Sequence, residues 1–583
     1  MNSSNLKNDH LWGFKDTSFE INQDNENIYL KGDRYLICGY EMPNFIPFVR
    51  NVFGVNFDVK NLQKQKKYII KPPIKNEEFI NEISNIKNST DDNERLIHSH
   101  GQTSASEIQH IFYSKENLKR EVDLVLFPKN TDEIIKIIDS AKMFNVCLIP
   151  YGGGSSVSCA LQCPENEERM IVSVDMKLLS NLISLDKENN LAVFGAGITG
   201  LEMEKILSKN GYTSGHEPDS MEFSTLGGWI STNASGMKRS KYGNIEDIVV
   251  NYKLYSPNGL LEKSINTPRN SYGSVVHDCI FGSEGNFGII TEATIKIHKK
   301  PELKEYQSII FPNFNIGIKF MKDLTINNKY LLPASIRLVD NKQLQFAMAL
   351  KPEKTYFGSW KEYIKDFFLE KYYGFDKNEM VLCTLTFEGK INEVYDKISG
   401  IQSLCNKCGG LMGGSENGKK GYQLTFAIAY IRDFMAKFYC MGETFETTVP
   451  WNNINDVCKA VEYKLEQETK SLNSKPFLSY RITQSYETGV CIYFMLALYY
   501  KDIENIVEKF EDLEEKLREA ILDNGGSISH HHGIGKHRSK FIIRDSSLIE
   551  KNCIKSIKNS LDPNNVFGVQ NGIFDNNLKK KNL

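Results

Sequence analysis

PYGGGSSVS, residues Pro150 to Ser158, is the point from which the rest of the chain can be read. Gly152, Gly153 and Gly154 carry no Cβ, so their backbone N–H groups can point inward and come close to a pyrophosphate. Pro150 and Tyr151 lead into the glycines, and Ser155 and Ser156 add hydroxyl donors. The sequence just before it is regular. VDLVLFP (Val122 to Pro128) reads as a strand, TDEIIKIIDSAKMFN (Thr131 to Asn145) as a helix with Thr131 as its N-cap, and VCLIP (Val146 to Pro150) as a second strand. Strand, helix and strand in thirty residues predict a βαβ unit whose second strand runs directly into the glycines.

Two further segments share this character. PDSMEFSTLGGWISTNASGMKRSKYGNIEDIV (Pro218 to Val249) concentrates hydroxyls, amides and glycines: Pro218, Asp219, Ser220, Ser224, Thr225, Gly228, Ser231, Thr232, Asn233, Ala234, Ser235 and Gly236. FGSEGNFGIITEA (Phe281 to Ala293) is a glycine-led turn entering a strand, with Gly282, Ser283, Glu284, Gly285 and Gly288. Each taken singly reads equally well as a structural loop. Three of them between residues 150 and 290 argue jointly for a large phosphate-bearing cofactor. VFGAGITGLE (Val193 to Glu202) spells G-x-G-x-x-G through Gly195, Gly197 and Gly200. A dinucleotide fingerprint also needs an acidic residue about 20 positions on, closing a second strand. Here that distance falls at Glu217 in GYTSGHEPDS, among turn residues, so the stretch reads as a strand-to-helix turn packing a helix on a sheet.

A chain of 583 residues is too long for one core. Lys plus Arg at 71 nearly cancels Asp plus Glu at 73, leaving no global field to attract nucleic acid or anionic membrane. The first thirty residues lack the apolar core of a signal peptide. CIYFMLALYY (Cys491 to Tyr500) is about half the length needed to span a bilayer and reads as a buried strand. Twelve cysteines without framework spacing suit a reducing compartment. CNKC (Cys405, Cys408) stands alone and reads as two ordinary thiols, so no metal site is expected. Residues 1–118 read as a mostly helical lead-in and 119–300 as the cofactor domain. Residues 301–540 alternate long strands and helices, such as VLCTLTFEG (Val381 to Gly389) and the helix Asp502 to Asn524.

The P-x-G-G-G-S-S loop, E-P-D-S…S-T-x-G-G-W…S-x-x-A-S-G, Y-G-N-I-E-D and G-S-E-G resemble FAD-binding flavoproteins of the vanillyl-alcohol oxidase type. The likeness is closer still to the members that make the ether bond of ether lipids. It runs nearly end to end through HLWGF, ASGMKRSKYGNIEDIVV, PASIRLVDNKQLQF, AYIRDF, GETFETTVPW, SISHHHGIGKHR and DPNNVFG. The resemblance implies an α+β fold: a FAD-binding domain plus an α+β cap that carries the substrate, with residues 541–583 returning to the FAD domain. It implies FAD held by the three segments, and non-covalently, since YGGGSSV offers neither His nor Cys. It further implies acyl-dihydroxyacetone phosphate and a long-chain fatty alcohol as substrates, exchanged through a covalent bond to flavin N5 without net redox. A homodimer, peripheral membrane contact and a peroxisomal address follow from the same likeness, although the terminal KNL matches an S-K-L signal only at Leu583. A D-2-hydroxy-acid dehydrogenase of the same fold is the rival activity.

Consecutive His530, His531 and His532 cannot all face one way, so at most two reach a single site. Three readings stand side by side: a metal cluster, a surface loop, and imidazoles working as proton carriers or phosphate partners near neutral pH. Related hydroxy-acid dehydrogenases carry E-H-G-I-G here; His531 replaces that Glu and removes its hard oxygen ligand. Tyr493 lies in an apolar run and by itself reads as a core aromatic; the resemblance makes it the proton donor and acceptor. Arg432, following the apolar AIAY taken as a strand, must be paired if buried, and the resemblance assigns it to the substrate phosphate. Arg337 reads equally as a catalytic residue or as the partner of Asp340. FGSWKEYIKDFFLEKYYGF (Phe357 to Phe375) reads equally as core packing or as a lipid channel or membrane face.

Overall fold

Leu124, Val125 and Leu126 are consecutive and all buried, as residues of a strand covered on both faces must be. They form the strand Leu124–Leu126, followed by the helix Thr131–Met143 and the strand Cys147–Tyr151. The computed structural model describes residues 6–271, 276–352, 374–501 and 503–576. Ile134, Ile137, Ile138 and Ala141 recur at helical spacing and bury one face of that helix. Its N-cap is Asn130 rather than Thr131: the Asn130 side chain accepts from Glu133 N at 2.9 Å. An amide at the position just outside the helix does this better than a β-branched residue one step inside, and such a cap is worth about 1 kcal/mol. The two strands of the βαβ unit are not neighbours. Ile171–Asp175 lies between them and pairs in parallel with each.

The chain divides into two compact units, neither continuous in sequence. One gathers Lys66–Gly236, Tyr242–Lys300 and Ile528–Leu583; the other gathers Met1–Gln65, Met237–Lys241 and Pro301–Ser527. The first unit holds the βαβ sheet and a five-stranded antiparallel sheet ordered Gly259–Leu261, Val249–Ser256, Ile289–Lys296, Leu191–Gly195, Leu182–Asp186. Phe194, Leu207, Leu226, Trp229 and Tyr252 belong to the core on that second sheet. Val566 and Phe567, near the end of the described chain, are buried in the core of the first.

The second unit is built on a seven-stranded antiparallel sheet. Its order is Leu411–Met412, Leu303–Phe311, Val381–Gly389, Ser335–Val339, Phe477–Ser485, Gly489–Tyr499, Cys440–Pro450. The long helix Ser415–Ala436 lies on one face, where Gly421 meets Thr384, and Phe314–Ile326 on the other, where Gly317 meets Leu338. Arg337 pairs with Thr384 and so shares the first face; Leu338, next in the strand, takes the second. CIYFMLALYY is indeed a strand, and the helix expected over 502–524 runs Ile506–Asp523.

The lead-in is not mostly helical. Among its described residues, 6–118, it contains short strands at Phe19–Ile21, Ile28–Leu30, Glu41–Met42 and Asn88–Ser89, and no helix longer than the nine residues of Phe45–Phe53. Its first part is anchored by long-range contacts instead: Trp12 N donates to Asp433 Oδ2 (2.9 Å) and Phe14 N to the Tyr430 hydroxyl (3.1 Å). The segment is rich in Asn and Lys, and local propensity yields to such contacts. The aromatic stretch from Phe357 lies outside the described residues up to Tyr373, as does the terminal KNL. Among the described residues no helix is long and apolar enough to cross a membrane.

Candidate functional site

The three glycine-bearing segments meet in the first unit and are tied pairwise. Gly152 and Gly153 lie against the second segment: a Cβ on Gly152 would sit 2.5 Å from Thr225 Oγ1, and one on Gly153 would collide with the Phe223 carbonyl. The second and third segments join where Gly282 N donates to Ile230 O (3.1 Å) and Glu284 N to Ser231 O (2.8 Å). The first and third join where the Ser158 hydroxyl donates to Glu284 Oε1 (3.0 Å). Glu284 also accepts from Gly535 N at 2.7 Å, bringing the loop that carries the histidines into the same cluster. Burial pushes the Glu284 carboxyl above its ordinary value, and these donors with Arg538 and Lys536 oppose the push. Glu284 thus joins loops rather than standing open to a ligand.

Several other expected cofactor residues also have their side chains engaged. Thr225 caps the helix Leu226–Thr232 by accepting from Gly228 N. The Ser224 hydroxyl accepts from Trp229 Nε1 (2.7 Å), Ser235 donates to Asn244 Oδ1 (2.8 Å), and Thr232 donates back to Gly228 O (2.9 Å). Gly236 is required because a Cβ there would lie 2.7 Å from Glu217 N, and Gly288 because one would strike Tyr255 O. Gly154, Gly282 and Gly285 have φ of 67°, 78° and 81°, a region that suits glycine. Ala234 is buried; Pro218, Asp219, Ser220 and Ser283 belong to the same two turns.

The cradle leaves a buried hydroxyl and a buried amide oxygen that a bound FAD would complete. The Tyr151 hydroxyl and Asn233 Oδ1 are buried polar atoms without a protein partner, one at each of the first two segments. A native fold rarely leaves such groups unpaired unless a ligand or water completes them. Gly195, Gly197 and Gly200 play a different part. A Cβ on Gly197 would collide with Met176 O, and one on Gly200 would lie 2.7 Å from the Trp229 ring. G-x-G-x-x-G here packs the helix Gly200–Lys209 on its sheet. His216 is buried against Trp229, ring centroids 4.7 Å apart, and burial pushes its imidazole down to about 3, so it is neutral.

His530, His531 and His532 are half-buried on their loop. His530 Nδ1 and His531 Nδ1 lie 2.8 Å apart, close enough for one proton to be shared between them, and the His531 and His532 rings are 4.6 Å apart. The Lys536 ammonium donates to Asn571 Oδ1 (2.8 Å), and Arg538 Nη1 to Gly533 O (2.8 Å), which fixes the loop's far end.

In the second unit, strand register assembles a polar cluster on one sheet face. Glu446, Tyr493, Arg481 and Val339 stand directly opposite one another across four strands, and Arg337 lies two residues from Val339 on the same face. The Arg481 guanidinium lies 4.2 Å from the centre of the Tyr493 ring, a cation–π arrangement, and the Tyr493 hydroxyl donates to Thr444 Oγ1 (2.9 Å). Arg337 Nη1 donates to Thr425 Oγ1 (2.8 Å) on the long helix. Asp340 turns elsewhere: it caps the helix Asn341–Ala349 by accepting from Gln343 N (2.8 Å). Arg432 is on the helix Ser415–Ala436, not after a strand; an apolar quartet cannot be told from a helical turn by composition. Its guanidinium contacts Asp433 (Nη2 to Oδ1, 2.6 Å), whose other oxygen holds Trp12 N. Arg432 lies seven residues, two helical turns, beyond Thr425 and so on the same side of that helix.

Sequence reasoning missed Arg481 and Glu446. The signal for Arg481 was present, since an arginine inside the apolar strand FLSYRITQS is the same pattern that singled out Arg337. Cys405 lies in the last turn of the helix Ile391–Lys407 and Cys408 caps it; both are free thiols, pushed upward by burial, Cys405 to about 12.

Two family models match the chain. Residues 122–264 match the model of the FAD binding domain, and 300–569 that of the C-terminal domain of FAD linked oxidases. The chain is 40% identical over 566 residues to alkyldihydroxyacetonephosphate synthase of Caenorhabditis elegans, covering 96% of this chain and 94% of that protein. It is 30% identical over 501 residues to the Dictyostelium discoideum protein of the same name, covering 85% and 81%. A solved structure of an alkyldihydroxyacetonephosphate synthase superposes with a TM-score of 0.83 at 26% identity, over 97% of this chain and 99% of that one. p-Cresol methylhydroxylase superposes at 0.62 and 11% identity, over 84% and 94%, which shows a shared fold. The flavoprotein family that the glycine-loop motifs resemble is therefore narrowed to one kind: the chain belongs to the alkyldihydroxyacetonephosphate synthases, FAD-dependent enzymes with a flavin-binding domain and an α+β cap.

Proposed function

We propose that the protein converts acyl-dihydroxyacetone phosphate and a long-chain fatty alcohol into the alkyl ether of dihydroxyacetone phosphate and a free fatty acid. The observation that carries this is the cluster on the cap sheet, set beside the family membership. Two buried arginines, Arg337 and Arg481, and the Tyr493 phenol share one sheet face. Cations in a poorly hydrated setting suit a phosphate-bearing substrate, and a phenol suits proton transfer. FAD, held non-covalently in the cradle of the three segments, supplies a centre through which acyl is exchanged for alkoxy without net electron transfer.

The chain's own groups do the rest. Arg432, its fork steadied by Asp433, takes the substrate phosphate. Arg337 stands with Tyr493 in the catalytic group and is aligned by Thr425. Tyr493, flanked by Arg481 and Thr444, moves a proton at its phenol oxygen. The His530–His531 contact offers a second proton relay, with His532 beside it. A homodimer, peripheral membrane contact and peroxisomal residence belong to the same proposal and rest on family likeness.

The test is an anaerobic flavin absorbance trace on wild type and Tyr493→Phe. Acyl-dihydroxyacetone phosphate should bleach wild type and fatty alcohol restore it, with no oxygen or other acceptor. Tyr493→Phe should stay yellow but turn over about 10²- to 10⁴-fold more slowly, the usual contribution of a positioned acid–base group. Lasting bleaching by a D-2-hydroxy acid, with no response to the lipid, would mean a dehydrogenase on the same fold. Full turnover by the variant would remove the phenol from the chemistry.

A further inference from the structure

The first glycine loop is gripped from a stretch of chain outside the region that matches the FAD binding domain, residues 122–264. Gln102 N donates to Gly154 O at 2.8 Å. The Thr103 hydroxyl is shared between Ser155 O (2.9 Å) and Ser156 O (2.8 Å). Gly101 passes so near that a Cβ there would collide with Ser156 O. Three successive carbonyls, of residues 154, 155 and 156, therefore face residues 101–103.

Peptide planarity turns this into a statement about the other side of the loop. In a trans peptide the N–H points opposite to the C=O of the same unit, and no cis peptide occurs among the described residues. The carbonyls of 154, 155 and 156 share their planes with the N–H groups of Ser155, Ser156 and Val157. Those three N–H groups are thus turned away from the clamp, and among the described residues none donates to a protein acceptor. Consecutive backbone N–H groups facing one way form a concavity for an anion.

We propose that Thr103, assisted by Gln102, is a positioning residue for the cofactor: by holding the carbonyls of 154–156 it presents the N–H row of 155–157 to the pyrophosphate of FAD. This rests on the reading that the PYGGGSSVS loop carries the pyrophosphate. Thr103 touches the loop and acts on the cofactor only through it. A hydroxyl is what the position needs, because a single donor reaching two adjacent carbonyls fixes two peptide planes at once.

The experiment titrates the full chain, freed of flavin, with FAD, ADP and riboflavin, following flavin fluorescence directly and ADP by competition. Thr103→Val keeps the side-chain volume and removes the donor; Thr103→Ser keeps the donor. Thr103→Val should weaken FAD and ADP about tenfold, the value of one lost hydrogen bond, and leave riboflavin, which has no phosphate, unchanged. Thr103→Ser should stay within about threefold of wild type by the same measure. Unchanged FAD and ADP binding in Thr103→Val would overturn the clamp. So would equal weakening of riboflavin without rescue by serine, since that is the mark of a general structural role. Ser155→Asp probes the underlying reading separately by setting a carboxylate at the N–H row. Loss of FAD there with no effect of Thr103→Val would keep the loop and reject the clamp, and normal FAD binding would reject the loop itself.

Discussion

Asp340 carries two duties that oppose each other. Its carboxylate caps the helix Asn341–Ala349 through Gln343 N, yet it is buried, and burial pushes its carboxyl up to about 7. A carboxyl whose folded value is raised favours the folded state most when protonated. The stability tied to Asp340 is therefore full below about pH 4 and lost as the pH rises towards 7, a drop of roughly a few kcal/mol. Asparagine caps helices as well as aspartate and cannot ionise. Asp340→Asn should melt with wild type near pH 4 and above it at pH 8; parallel melting curves across that range would show that the carboxylate is not desolvated. A buried carboxylate of this kind is invisible in PASIRLVDN, where Asp340 looks like a partner for Arg337. The two side chains are three apart, but a strand ends between them and the carboxylate turns to its own helix.

Turns were easier to find than to interpret. G-x-G-x-x-G at 195–200 looked like a nucleotide motif in spelling and like packing in context, and Gly197 sits where any side chain would strike Met176 O. Gly197→Ala should lower stability by about 1–3 kcal/mol through overpacking, while the flavin spectrum of the folded protein stays unchanged. Loss of FAD without loss of stability would restore the nucleotide-binding reading. Long periodic elements were legible: the strand Gly489–Tyr499 and the helix Ile506–Asp523 followed from apolar runs and helical spacing. Short ones were not. AIAYIRDF lies inside a 22-residue helix, and four apolar residues before Arg432 carry no period by which to choose helix over strand. The face that gathers Arg337, Arg481, Tyr493 and Glu446 exists only through the register of four strands, which no single segment encodes.

The first unit is closed by residues late in the sequence. Lys558 donates to Asn286 O (2.6 Å) in the third glycine-bearing segment, to Asp562 Oδ2 (2.6 Å) and to Phe567 O (3.0 Å). Burial pushes its ammonium below the ordinary value, and Asp562 supports the charged form. Removing the cation strands a buried carboxylate, which costs about 3–5 kcal/mol. Lys558→Met should release FAD at a lower temperature than wild type, read by the rise in flavin fluorescence on heating; an unaltered release temperature would make the latch dispensable. The resemblance implies that residues 541–583 return to the flavin domain, and composition alone gives no reason for it. Such closure is a property of contacts hundreds of residues apart, and sequence patterns report neighbours.

The same discontinuity has a consequence for how the protein is made. The chain passes between its two compact units at 65/66, 236/237, 241/242, 300/301 and 527/528. Leu148 N waits for Val566 O, and the sheet beside it waits for Val566 and Phe567 to fill its core. At 5–20 residues per second a ribosome needs roughly half a minute to two minutes to deliver those residues. Until then the glycine loops already outside the tunnel belong to an unfinished core. Loading of FAD should wait for Val566 and Phe567, and a chain cut twenty positions before Val566 should fail to bind flavin although its glycine loops lie four hundred residues earlier.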